Sequence, residues 1–144
     1  MDLFDSLKIS ASALAAQKTR INVVSSNLAN IETTRTPEGG PYRKRNVIFR
    51  ASNVGFQGNL DQSMEDSGVQ GVEVSAIRSD PAPPKMVYDP SNPDANAKGY
   101  VAMPNINLME EMVDLMTATR AYEANVTAAK SAKQMALTAL QLSK

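Results

Sequence analysis

Catalysis needs groups that move protons, attack carbon or hold metal, and this chain carries few of them. It contains no histidine and no cysteine. Imidazole acid–base chemistry, thiolate nucleophiles, Cys/His zinc sites and disulfides are therefore excluded. Two close carboxylate pairs remain, Glu110/Asp114 and Glu65/Asp66. Paired carboxylates can divide acid and base roles, but helix polarity explains the first pair and a polar loop the second. Asn92, Asp94, Asn96 and Gly99 resemble a calcium loop at a glance. The EF-hand pattern fails at its sixth position, which is Ala97 rather than Gly, and at its twelfth, which is Met103 rather than Glu. A turn held by Asn and Asp side chains is the better reading. Arg43-Lys44-Arg45 beside Tyr42 and Phe49 offers a short basic run. It reads as a solvated strand edge or a protein contact, because no wider excess of cations supports nucleic-acid binding. Gly39-Gly40 lacks the Lys-Ser/Thr of a phosphate loop. No catalytic, cofactor-binding or metal-binding residue is assigned.

The charge balance points the same way. The 144 residues carry 15 acids and 15 bases, which gives no global attraction to nucleic acid or anionic membrane. The charges are nevertheless segregated. Residues 35–60 carry five cations against Glu38, a net of +4, and residues 61–104 carry seven acids against Arg78, Lys85 and Lys98, a net of −4. Such blocks suit head-to-tail contact between copies, or they face each other within one molecule. No apolar run approaches a transmembrane span. Asp2 and Asp5 precede a polar-interrupted helix, unlike a Sec-type signal peptide.

What remains to position are two long helical patterns. Leu7, Leu14, Ile21 and Leu28 recur every seven residues, and Leu3, Ser10, Gln17, Val24 and Ile31 form a second row. Near the other end, Leu108, Leu115, Tyr122, Ala129 and Ala136 form one row, and Met112, Thr119, Val126, Lys133 and Leu140 another. A seven-residue apolar repeat marks helices that pack along a seam. Residues 3 to 31 predict one helix of about 43 Å, and 108 to 142 a second of about 52 Å. Asn107 can cap the second, with Glu110 placed as in a capping box. Arg120 and Glu123 are spaced for a local ion pair. Ala118, Ala121, Ala128, Ala132, Met135, Ala139 and Leu142 add a small-residue seam. A helix in a simple hairpin buries one face, so two seams imply neighbours on more than one side. Met103, Met109, Met112, Met116 and Met135 suit either core filling or adaptable contact surfaces.

Between the helices, glycines and prolines punctuate short strand candidates. Tyr42 to Phe49 is one, and Val69 to Ile77 is another, with Val72, Val74 and Ala76 on one face. Met86 to Tyr88 and Tyr100 to Met103 follow, separated by the polar turn region Asp89 to Gly99. Gly55, Gly58, Gly68 and Gly71 mark loops. The fold class is α+β, in three parts: an N-terminal assembly helix over 1–34, a β-rich and loop-rich middle over 35–106, and a C-terminal assembly helix over 107–144.

Several segments together resemble bacterial flagellar axial proteins, the rod and hook family. Ser25-Ser26-Asn27-Leu28-Ala29-Asn30-Ile31-Glu32-Thr33-Thr34 is similar to their Asn-rich signature. Arg35 to Lys44, Tyr88 to Asn96, Gly99-Tyr100-Val101 and Pro104 to Asn107 resemble the proximal-rod version. Glu111-Met112-Val113 and Arg120 to Asn125 resemble the shared C-terminal motif. Asn92 departs from the family, where His is common at this turn.

The resemblance implies a non-enzymatic subunit of the basal-body rod, which transmits motor torque to the hook across the periplasm. Its partners would be copies of itself and other rod proteins in a helical assembly. Its terminal helices would build coiled-coil layers. Export would run through the flagellar type III apparatus, without a cleaved signal peptide or membrane insertion. The seam candidates are Leu7, Leu14, Ile21, Leu28, Leu115, Tyr122, Val126 and Leu140. The competing expectation is an adaptor whose helices pair within one monomer.

Overall fold

The computed structural model describes residues 3–53 and 70–142. Gly55, Gly58, Gly68, Val69 and the Glu65/Asp66 pair lie outside the described residues, as do the side chains of Leu3 and Leu142.

The first helix, α1, spans Leu3–Ala29, two residues short of the expected end. Asn30 stops it. Its side-chain amide donates to the Ser26 carbonyl at 2.9 Å, and its Oδ1 accepts from the Thr33 hydroxyl at 3.1 Å. A short amide that competes for the helix's own acceptors suits an end better than an interior. The Tyr42 N–H donates to the Thr33 carbonyl at 3.0 Å, which closes the following loop. Gly39 and Gly40 turn that loop at φ of 89° and 77°.

Strands β1 (Arg45–Asn53) and β2 (Gln70–Ser79) pair antiparallel. The expected strand over Tyr42 to Phe49 thus begins later, because Tyr42 is held by the loop. The register runs Ile48 to Ala76, then Phe49 to Val74, so Ser75 is an extra residue. This bulge corrects the expected face. Val72 and Val74 lie beside Ala51 and Phe49, whereas Ala76 pairs with Ile48 on the other side. Val47 and Phe49 line a concavity with Val23 and Val24, so this face covers α1. The Val72 N–H donates to Ser12 Oγ at 3.2 Å, a direct bond from strand to helix.

A second ribbon pairs β3 (Lys85–Tyr88) with β4 (Tyr100–Met103). Val101 is buried, and the rings of Tyr88 and Tyr100 meet edge to face at 5.3 Å. The turn region between them is built from its own side chains. Asn92 Oδ1 accepts from the Asp94 N–H, and Asn96 Oδ1 from the N–H groups of Lys98 and Tyr100.

The second helix, α2, spans Leu108–Leu142 as expected. Asn107 caps it, its Oδ1 accepting from the Met109 N–H at 3.1 Å. The contacts of Asn27 with Glu111 and of Arg20 with Asp114 place α1 and α2 antiparallel. From that junction α1 runs back 24 residues and α2 runs on 31, so α2 overhangs by about 10 Å. Among the described residues the buried apolar ones are few and mostly small: Ala16, Val23, Val24, Val101, Ala118 and Ala132.

Gly99 has φ of +79°, and a Cβ there would fall 2.8 Å from Tyr88 Cε2. Gly99→Ala is expected to cost about 1–3 kcal/mol through backbone strain and displacement of the Tyr88 ring. A lowered midpoint in urea unfolding followed by circular dichroism checks this.

Candidate assembly surface and its polar node

Of the three buried polar residues among the described ones, Asn27 and Glu111 meet where the helices join; Ser10 is the third. Asn27 uses both ends of its amide. Its Nδ2 donates to the Arg45 carbonyl at 2.9 Å and to Glu111 Oε2 at 3.0 Å. Its Oδ1 accepts from the Arg45 N–H at 2.9 Å and the Tyr42 hydroxyl at 3.1 Å. The amide therefore pairs with Arg45 as a neighbouring strand would. Glu111 is 2% exposed, and its Oε1 lies 2.7 Å from Lys44 Nζ. A buried carboxylate is tolerated when it is both hydrogen-bonded and charge-paired. Arg20 grips Asp114 with two nitrogens one turn farther along.

Around this node the small residues interlock. Glu111, Ala118, Asn125 and Ala132 are spaced by seven, and all but the half-buried Asn125 are buried. The matching row on α1 is Ser10, Gln17 and Val24, with Ala16 and Val23 beside it. The Gln17 Oε1 is buried without a hydrogen-bond partner. The second N-terminal heptad row is thus the inner one. The small-residue seam divides: Ala118 and Ala132 face α1, Ala121 is half-buried, and Ala128, Met135 and Ala139 are exposed.

The expected seam residues flank this inner row. Leu7, Leu14, Ile21 and Leu28 are half-buried, as are Leu115, Tyr122 and Val126. Leu140 is 68% exposed, on the overhang. Opposite the inner row, α2 presents Met109, Met112, Val113 and Met116, all 45–67% exposed. At roughly 100° per residue Met109, Val113 and Met116 lie about 140–180° from Glu111 and Ala118, and Met112 lies on the flank at about 100–120°.

The segregated charges meet within the molecule. Arg35 pairs with Asp94 at 2.6 Å, and Arg50 pairs with Glu73. The Arg50 guanidinium holds the Glu73 carboxyl below its usual range. Of the basic run, Lys44 is used by Glu111, the Arg45 guanidinium lies 5.9 Å from the Tyr42 ring centre, and Arg43 is exposed. The expected Arg120–Glu123 pair does not form; both side chains are exposed and neither is among the ion pairs of the described residues. Among the described residues no group of three or more acidic side chains gathers as a metal site. Asp94, from the suspected calcium loop, instead accepts from Thr34 and Arg35.

A hairpin of long helices, two small ribbons and an exposed apolar helix face define a structural subunit of an assembly. Comparison with known proteins makes this specific. Residues 7–35 match the model of flagella basal body rod proteins, and residues 97–142 match that of the flagellar basal body rod FlgEFG protein C-terminal region. Flagellar basal-body rod protein FlgC of Borreliella burgdorferi is 46% identical, over 99% of this chain and 98% of its own. FlgC of Bacillus subtilis is 48% identical over the full length of both, and that of Salmonella typhimurium 41% over 99% and 98%. The chain belongs to the FlgC family of flagellar basal-body rod proteins.

The node also sets a pH dependence. The hydrogen bond to Glu111, helped by the charges of Glu111, Glu110 and Asp80, raises the Lys44 pKa above 10.5, although burial opposes it. A raised lysine contributes stability that is complete below about 10.5 and lost as pH rises through the folded value. The stability difference between the wild type and Lys44→Met should therefore be constant from pH 7 to 9 and shrink by pH 11. Paired urea titrations at these pH values measure it.

Proposed function

We propose that this chain is a non-enzymatic subunit of the flagellar basal-body rod, in its proximal part, and that its helices carry torque from motor to hook. One observation carries the reading beyond family membership: over its first turns α2 shows a second apolar surface, Met109, Met112, Val113 and Met116, turned away from α1 and not covered by it. A helix with a second apolar face needs a second neighbour. Its methionines suit neighbours of several shapes. The overhang, with Leu137 and Leu140 exposed, adds a stretch of helix that this chain leaves uncovered.

In this reading Leu7, Leu14, Ile21, Leu28, Leu115, Tyr122, Val126 and Leu140 touch neighbouring copies or other rod proteins. They sit at the rims of the intramolecular seam or on the overhang, where an approaching helix finds them partly exposed. Many seams loaded together would transmit torque, because close-packed interiors are hard to compress. The subunit would reach the periplasm through the flagellar type III export apparatus without a cleaved signal. No described helix is long and apolar enough to cross a membrane. The pairing of α1 with α2 in one chain favours the second reading, a self-contained hairpin adaptor.

Incorporation separates the two. Met112→Asp with Met116→Asp replaces exposed side chains, so the isolated protein should keep its helical circular dichroism and its unfolding midpoint within about 0.5 kcal/mol. The same variant should be missing from purified basal bodies and leave cells non-motile. Wild-type motility with the variant present in basal bodies would remove this face from the assembly.

A further inference from the structure

The inner seam poses a problem of register. Its α2 row reads Glu111, Ala118, Asn125, Ala132, and its α1 row is built from Ser10, Ala16, Gln17, Val23 and Val24. Such small side chains specify alignment weakly. A slip of α2 by one heptad moves it about 10 Å along α1. Ala139 would then take the place of Ala132, and Ala132 that of Asn125. The packing surfaces would still be small and roughly complementary. What changes is the node: Ala118 would arrive at Asn27, and Ala121 at Arg20.

We propose that Asn27 and Glu111 form a register key, a buried polar pair that selects one alignment of α1 against α2 among several of similar packing. In the observed register all four hydrogen bonds of the Asn27 side chain are made, and Glu111 is shared with Lys44. In the slipped register Asn27 faces a methyl group, and the Glu111 carboxylate loses its amide donor. Leaving such groups unpaired in a buried site is costly, whereas replacing both by apolar groups is close to neutral. A single buried Asn sets register in coiled coils by the same logic. The key also ties register to the rest of the chain, since Asn27 holds the first residue of β1 and Glu111 holds Lys44 just before it. It concerns the fold of one chain and does not rest on the rod reading.

The absence of cysteine permits a direct test. Lys18→Cys and Lys130→Cys place spin labels at exposed positions on the two helices, and double electron–electron resonance reads the distance between them. The parent protein should give one narrow distance. Asn27→Leu with Glu111→Met should keep the helical circular dichroism and add a second distance, displaced by several ångströms in keeping with a shift of about 10 Å along the axis. Glu111→Gln still accepts from Asn27 and should retain the single distance. One unchanged distance in the double variant overturns the proposal. So does loss of its helical signal, because a key only chooses between packed registers. Equal broadening in Glu111→Gln overturns it as well, since charge rather than pairing would then set the alignment.

Discussion

The structure depends on one side-chain amide. Asn27 lies on α1, yet its four hydrogen bonds reach the backbone of Arg45, the hydroxyl of Tyr42 and the carboxylate of Glu111. Those partners belong to the loop, to β1 and to α2. Few large apolar side chains are buried in the described residues, so burial alone gives the helices little reason to choose one arrangement. The polar node supplies the choice. It also explains how so small a middle segment holds its place: β1 starts where Asn27 fixes it, and the first ribbon then lies along α1.

The covered and uncovered faces of α2 divide the labour of the molecule. The covered face is small and polar at its root, which brings α1 close and aligns it. The uncovered face is larger, softer and rich in methionine. The first arrangement suits a contact made once within a chain. The second suits contacts with neighbours that differ in shape.

Much of this was legible in the sequence, and the parts that were not share a cause. Both helices, the Asn107 cap and the four strands follow from periodicity, caps and turn residues, which are local. Ser75 is invisible to such reasoning, because a bulge exists only relative to a partner strand. Asn27 reads as a weak helix former, and Glu111 as an acid suited to a helix start. Their roles appear only when residues 84 positions apart come together. The heptad rows are plain in the sequence, but not which of them is inner, since Leu7 and Leu14 outrank Ser10 and Gln17 in hydrophobicity. Close approach selected the small residues for the inside. The charge blocks allowed contact within one molecule or between copies, and only the fold shows Arg35 meeting Asp94 and Arg50 meeting Glu73 within the same molecule.

The bonds from α1 to the first ribbon have one more consequence. A two-stranded ribbon has two open edges, and an open edge invites strands from other molecules to add. Here α1 holds one position on each. Ser12 occupies the Val72 N–H on β2, and Asn27 occupies both backbone groups of Arg45 on β1. A protein that assembles with other rod components is at particular risk of joining them the wrong way, by sheet extension into fibres. With a hydroxyl and an amide as stoppers, an incoming strand cannot pair along the full length of either edge of this ribbon.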